Sequence, residues 1–352
     1  MSDRVRLVSA GACTSVGGSL QASAAAVRAG LSAFAHHAFM VDTAGKPMIV
    51  ACASFVPPAF VGFDRLRQLS TLAAEEALSS SGLSAGSRVP AFIGVPPTQP
   101  GLPDDLRDSF RARFSEGLST GVSVDSVELV ASGHSAGLMA LARGCQAIRE
   151  GSAEAVLIGG VDSHLDPSKL EKLESTGQLH GAGSYNNAWG FVPGEGAGFC
   201  VLVSERGRPV AMPLRTVEIS AVGLAEEACL INTDSVCLGH GLTGAFEQVL
   251  GGPEHDLIES VLCDMNGEPY RAEEYAFATI RTQAGFVDAS SFETPADCWG
   301  DVGAASGPLL LGLVWMGVGK GYRRSRTTLV WTSSESGERA AAVVSVRDGD
   351  ER

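Results

Sequence analysis

One unit occurs twice in this chain: a strand, a glycine turn, then an apolar helix, at residues 127–150 and again at 289–316. In the first copy Val127–Ala131 reads as a strand and His134–Gly151 as a helix, opened by Gly133-His134-Ser135-Ala136-Gly137. In the second, 289–298 carries a strand and a turn, and Val302–Met316 is a long apolar helix opened by the similar Gly300-Asp301-Val302-Gly303-Ala304. Further strands are expected at Val5–Ser9, Met48–Ser54, Ala91–Val95, Ala155–Ile158 and Ala197–Val203, with helices at Ser19–Ala29 and Leu66–Ser80. Loops rich in proline fill 57–64 and 96–104. Near residue 212 the pattern restarts, with a strand at Thr216–Val222, helices at Leu242–Val249 and Glu273–Thr282, and closing strands at Leu329–Thr332 and Ala341–Val346. Strands alternating with helices argue an α/β fold. A doubly wound sheet fits this periodicity as well as a repeated-half architecture does. Neither a Rossmann glycine fingerprint nor a P-loop is present, and no cofactor is expected.

The net charge of −14 makes sequence-independent nucleic-acid binding a poor fit. A basic cluster at Lys320, Arg323, Arg324 and Arg326 reads either as a solvated loop after a buried helix or as a dock for an acidic partner such as a carrier protein. The eight cysteines form no CxxC pair and no Cys/His metal spacing, and most sit in apolar runs as small core residues. That usage suits a reducing cytoplasm. Met1-Ser2-Asp3-Arg4 leads into the first strand without the apolar run of a secretion signal. The longest apolar run, Pro308–Val318, is too short to span a bilayer.

Four motifs stand in order along the first 203 residues. They are Val5-Arg6-Leu7-Val8-Ser9-Ala10-Gly11 with Thr14-Ser15-Val16-Gly17; the stretch from Ser132 to Ile148, containing Leu138-Met139-Ala140-Leu141 and Cys145-Gln146-Ala147; Leu157-Ile158-Gly159-Gly160-Val161-Asp162; and Gly190-Phe191-Val192-Pro193-Gly194-Glu195-Gly196-Ala197-Gly198. Together they resemble the β-ketoacyl synthases, the condensing enzymes of the thiolase superfamily. The resemblance implies a layered αβαβα fold of two pseudo-repeated halves, residues 1–211 and 212–352. It also implies a dimer, homo- or heteromeric with a thiolase-fold partner, whose interface runs along a strand near Gly159-Gly160-Val161.

The family's condensation uses a cysteine at the helix opening and two histidines. The resemblance puts His134 at the cysteine, Asp264 and Asp301 at the histidines, and Ala296 at a lysine, while Thr332–Glu338 replaces a glycine-rich gating loop. Ser135 follows the nucleophile position and on a helix points elsewhere. Two carboxylates repel an enolate. Three readings of the set remain open. Asp301 caps a helix, Asp264 sits in a turn and His134 fills a cavity; or the three form an ion-paired network with His134 protonated; or they are a new acid/base or divalent-metal site. The remaining histidines, His36-His37, His164, His180, His240 and His255, sit in loops or beside glycine turns with no spacing that demands a function. The leading expectation is a ketosynthase-like protein without the condensing nucleophile, acting as partner, adaptor or acyl-binding scaffold. Its rival is an active acyltransferase or thioester hydrolase using His134 as base.

Overall fold

The computed structural model describes residues 4–98, 102, 105–205, 215–231, 233, 235–251 and 256–348. Pro100 and Pro103, the division at 211/212 and His255 lie outside the described residues. In chain order the first half holds β1 (Val5–Thr14), α1 (Leu20–Arg28), β2 (Phe34–Val41), β3 (Pro47–Ala51), α2 (Gly62–Ser79), β4 (Arg88–Gly94), α3 (Leu106–Arg113), β5 (Ser123–Val130), α4 (Ala136–Arg149), β6 (Ala155–Ser163), α5 (Pro167–Ser175) and β7 (Glu195–Ser204). The second holds β8 (Arg215–Glu226), α6 (His240–Leu250), β9 (Ser260–Cys263), α7 (Pro269–Thr282), β10 (Phe292–Glu293), α8 (Ala296–Trp299), α9 (Ser306–Gly319), β11 (Thr327–Ser333) and β12 (Glu338–Asp348).

The strands order as β5-β4-β6-β7-β1 and β8-β12-β11-β9-β10. In each half four strands run one way and one, β7 or β12, runs against its two neighbours, in the same spatial order. The halves meet through two residue pairs, Arg6 with Glu218 and Leu7 with Val217. Helices form three layers around these sheets. α2 and α3 cover one outer face, where Leu69, Ala73 and Phe110 pack with Ile93, Leu157 and Val201. α6 and α7 cover the other, where Phe246 and Tyr275 pack with Leu329, Trp331 and Val343. α4 and α9 lie between the sheets, with Leu141, Ile148, Leu309 and Val314 buried against Ile158, Leu202, Val330 and Val344. The fold is therefore the layered α/β arrangement of the thiolases.

The two central helices cross closely. A Cβ on Gly137 would lie 2.3 Å from Pro308 Cδ, and one on Gly307 would lie 2.8 Å from Leu138 Cγ. Each glycine thus receives a side chain of the opposite helix. This fixes the true register of the repeat. Both helices open with a short 3₁₀ turn, Gly133–Ser135 and Gly303–Ala305, on glycines with φ of +57° and +48°. Gly133 pairs structurally with Gly303, three residues beyond the Gly300 that the sequence suggested. Glu195 explains its own motif. Its carboxylate takes Arg65 Nε at 2.6 Å and Nη2 at 2.5 Å, and the Ala53 N–H at 2.8 Å, tying β7 to α2 and to the segment after β3.

Several elements differ from the sequence reading. The Gly159–Val161 segment is interior, bonded to β4 on one side and β7 on the other, so it offers no free edge; the open edge of that half is β5. The strand expected at Met48–Ser54 is β3, but its hairpin partner β2, and the helices α3 and α5, went unread. α3 buries only Leu106 and Phe110, and α5 only Lys169, Leu170 and Leu173, too few for a clear apolar period. His36 and His37 lie on β2, and His240 opens α6. In the basic cluster Arg323 pairs with Glu293 at 2.8 Å and Arg326 with Asp348 at 3.1 Å, which spends much of its charge. Among the described residues no helix is long and apolar enough to cross a membrane.

Candidate functional site

Three chain segments converge where the two central helices open. The left-handed Gly133 turns the chain so that His134 enters the interior, 6% exposed. Ser135 is directed away: its Oγ donates to the carbonyls of Thr332 (3.1 Å) and Glu338 (2.9 Å), and its N–H donates to Ser334 Oγ at 2.9 Å. The segment Thr332–Glu338 therefore packs on the helix opening as a tight hairpin, closed by Ser334 and Glu338. Asp301 sits between α8 and the turn into α9, and its Oδ1 accepts the Gly303 N–H at 2.9 Å. That is the capping role read from the sequence, yet the carboxylate does more. Asp264 leaves the end of β9 buried, instead of standing in an exposed turn.

Asp301 collects four donor residues. His134 Nε2 lies 2.8 and 2.9 Å from its two oxygens, His164 Nε2 lies 3.0 Å from Oδ1, Asn266 Nδ2 donates to Oδ2 at 2.6 Å, and the Gly303 N–H completes the set. Burial works against this carboxylate's charge, but the His134 cation and the hydrogen bonds from both histidines prevail and hold it well below the usual carboxylate range. His134 shows the reciprocal balance. Burial and the nearby Arg271 lower its pKa, the Asp301 carboxylate raises it, and the net shift is upward. The positive end of α4 also disfavours imidazolium, so the carboxylate wins over it too. This is the ion-paired reading.

Asp264 does not bond His134 directly. Its Oδ2 accepts Arg271 Nη1 at 3.1 Å and the Ser333 N–H at 3.0 Å. Arg271, fully buried, also donates to the Ser333 carbonyl at 2.8 Å and approaches Glu268 at 3.5 Å. Its Nη2 lies 3.3 Å from His134 Nε2. That nitrogen's proton goes to Asp301, so the Arg271 contact is a cation against an imidazole edge. Burial raises the Asp264 pKa, partly offset by Arg271. The pocket that two acids alone would make anionic thus contains a guanidinium.

His164 was set aside in the sequence and belongs here; it follows the C-terminal end of β6, the end of a strand where α/β sheets place their sites. Arg271 was missed as well. Its signal was a charged residue at i+3 from Glu268 in the first turn of an otherwise mixed helix. Together His134, His164 and Asp301 offer three ligand atoms within 4.8 Å of one another, a set that could hold a divalent ion, and the adjacent Arg271 charge opposes a cation there. Ala296 lies on the short α8, in a cleft shared with Cys263, Asp264 and Asp301. Burial pushes the thiols of Cys263 and Cys298 up. Beside the network lies a cavity of about 240 Å³, walled by Leu173 and Phe191 and carrying His164, Lys169 and Glu335.

This geometry, two pseudo-equivalent halves with a buried polar site at the openings of two crossed central helices, is a thiolase-like fold similar to that of ketosynthases. A sequence profile of the β-ketoacyl synthase N-terminal domain matches residues 120–207. No curated protein matches the sequence. Among solved structures the chain is similar to one in the AntDE:AntF complex, a type II PKS acyl-carrier protein with its ketosynthase, at 16% identity and TM-score 0.75, covering 98% of this chain and 99% of that one. It is similar to the ketosynthase from module 6 of the bacillaene synthase of Bacillus subtilis 168, at 15% identity and TM-score 0.74, covering 97% and 72%. It is also similar to the ishigamide ketosynthase/chain length factor, at 19% identity and TM-score 0.68, covering 97% and 99%. At these identities the likeness is one of fold.

Proposed function

We propose that this chain is a ketosynthase-like protein without condensing activity, which pairs with a second thiolase-fold subunit and keeps a small acyl-binding cavity. One observation carries the reading. At the helix opening where the resemblance places a nucleophilic thiol stands His134, buried, bonded to Asp301 at 2.8 Å and faced by Arg271. A condensing site stabilises an enolate with donors, and the resemblance places Asp264 and Asp301 at the corresponding positions. Pairing is supported by the open edge of β5 and by the similarity to a ketosynthase/chain length factor structure. Contact with an acyl carrier is supported by the similarity to a chain from a structure of a ketosynthase in complex with one. A reducing cytoplasm suits eight free thiols.

Intact-mass spectrometry after incubation with acyl-thioesters should show no acyl-enzyme, and light scattering should show a dimer, with itself or with a co-expressed thiolase-fold subunit. A stable acyl adduct at any residue overturns the reading. A second reading, acyl transfer or thioester hydrolysis with His134 as base, is favoured by the His134–Asp301 pair, which has the form of a base held by an orienting carboxylate. It requires that His134→Ala abolish a measurable thioesterase activity while the protein stays folded.

A further inference from the structure

Lys169 is the buried charge that the ion network leaves under-used. It projects from α5, is 9% exposed, and lines the 240 Å³ cavity. Its ammonium makes one ion contact, with Asp162 Oδ1 at 3.8 Å, beyond hydrogen-bonding reach. Asp162 is already committed, since its two oxygens accept the N–H groups of Ser163 (2.8 Å) and Ala304 (3.1 Å). The other acid on the cavity wall, Glu335, accepts from Gln178 at 2.7 Å. Burial lowers the Lys169 pKa, with Asp162, Asp301 and Glu335 opposing, and at 3.8 Å from Asp162 the ammonium still has no hydrogen-bonded anion.

A second group points the same way. His164 gives its Nε2 to Asp301, while its Nδ1 is buried with no partner. His164 lines the same cavity. Buried polar atoms are almost always satisfied, and two under-satisfied nitrogens on one cavity mark a place for a ligand. Pro97, Leu173 and Phe191 give the wall its apolar part, and Thr98, His134, Lys172 and Ser336 add further polar groups. At 240 Å³ the space falls just under the roughly 300–1,000 Å³ of cavities that take drug-sized ligands.

We infer that this cavity binds a short apolar carboxylic acid as its free carboxylate, held at Lys169 Nζ on the wall it shares with His164, with the hydrocarbon against Leu173 and Phe191. The incoming anion gives the Lys169 ammonium the hydrogen-bonded charge partner it lacks, and such charge-assisted hydrogen bonds are the strong kind. Thioesters and esters lack that charge. The inference rests on the acyl-binding part of the function proposed above and sharpens it, from an acyl thioester to a free acid.

The test is calorimetric titration of the wild-type protein with hexanoate and benzoate, with their methyl esters, and with their N-acetylcysteamine thioesters. The acids should bind with one-to-one stoichiometry, at least tenfold tighter than either neutral form. Lys169→Met should weaken acid binding at least tenfold and leave ester binding unchanged, with thermal melting confirming the fold. Should that variant fail to fold, the comparison of acid with ester on the wild type decides alone. Thioester binding equal to or tighter than acid binding overturns the inference and leaves acyl binding standing. Binding of none of the three overturns both.

Discussion

Arg271 is where the site's buried charge is balanced, so its removal has a calculable cost. Arg271→Met keeps the apolar stem and deletes the guanidinium. Asp264 then loses its 3.1 Å partner and retains only the Ser333 N–H, and Glu268 loses its 3.5 Å contact. Removing one member of a buried ion pair costs about 3–5 kcal/mol, because the remaining charge stays buried. Unfolding entropy of about 2.1 cal/mol/K per residue, over 352 residues, amounts to about 0.7 kcal/mol/K. The melting temperature should therefore fall by about 4–7 °C in differential scanning calorimetry.

The double variant Arg271→Met, Asp264→Leu removes the orphaned charge along with its partner. Replacing both members of a buried pair by apolar groups is often close to neutral, so at least half of the lost stability should return. In the single variant the uncompensated Asp264 has a raised pKa and is relieved by taking up a proton. Its destabilisation should thus shrink from pH 8 toward pH 5. A single variant that melts within about 1 °C of wild type, or a double variant less stable than the single, would refute the view that Arg271 neutralises this site.

The remaining predictions test the site and the helix crossing. His134→Cys restores a thiol at the helix opening but leaves Asp264 and Asp301 in place, so assays with malonyl and acyl thioesters should yield no condensed product; a new carbon–carbon bond would show that the acids do not disqualify the pocket. The His134 pKa is raised above 6.5 and that of Asp301 is held well below 3.8. The His134 contribution is full below pH 6.5 and is lost as pH rises through its folded value, while the Asp301 contribution fails only in strong acid. The melting difference between wild type and His134→Gln should accordingly be larger at pH 6 than at pH 9, and a difference independent of pH would remove the ion pair. Gly137→Ala puts a Cβ 2.3 Å from Pro308 Cδ. Helix propensity favours the change by about 1 kcal/mol, yet overpacking of about 1–3 kcal/mol should dominate, and urea denaturation giving a more stable variant would contradict the crossing.

The layers were legible because they are written in local signals. The long apolar runs, the Gly-Gly of β6 and the Gly-Glu-Gly-Ala-Gly that opens β7 each specify a strand or a close approach without reference to distant residues. Short amphipathic helices such as α3 and α5 were not, since two or three buried residues give no period to detect. The repeat was seen but set three residues off. Gly300 and Gly303 both have positive φ, and sequence alone does not say which of them begins the 3₁₀ turn. In the site, His134 and Asp301 could be brought together by analogy. Arg271 and His164 contact the set across 137 residues each and announce themselves only when the halves close.

The site divides into a part that holds the fold and a part that does not. Asp301 receives four donor residues, and Asp264 lies against a fully buried Arg271, itself bonded to the Ser333 carbonyl. Around Asp301 a network this well satisfied rigidifies the core, because any shift would leave a charge unpaired in a medium of low dielectric constant, although Asp264 Oδ1 is buried without a partner. It also leaves little reactivity, since the carboxylate that orients the imidazole raises its pKa and so works against its acting as a base. The cavity next door is built the other way. Its lysine lacks a full partner and one ring nitrogen of its histidine has none. Selection for stability alone would favour a leucine or methionine at position 169, which costs nothing to bury. A buried ammonium kept there is better explained by a negative charge that comes and goes.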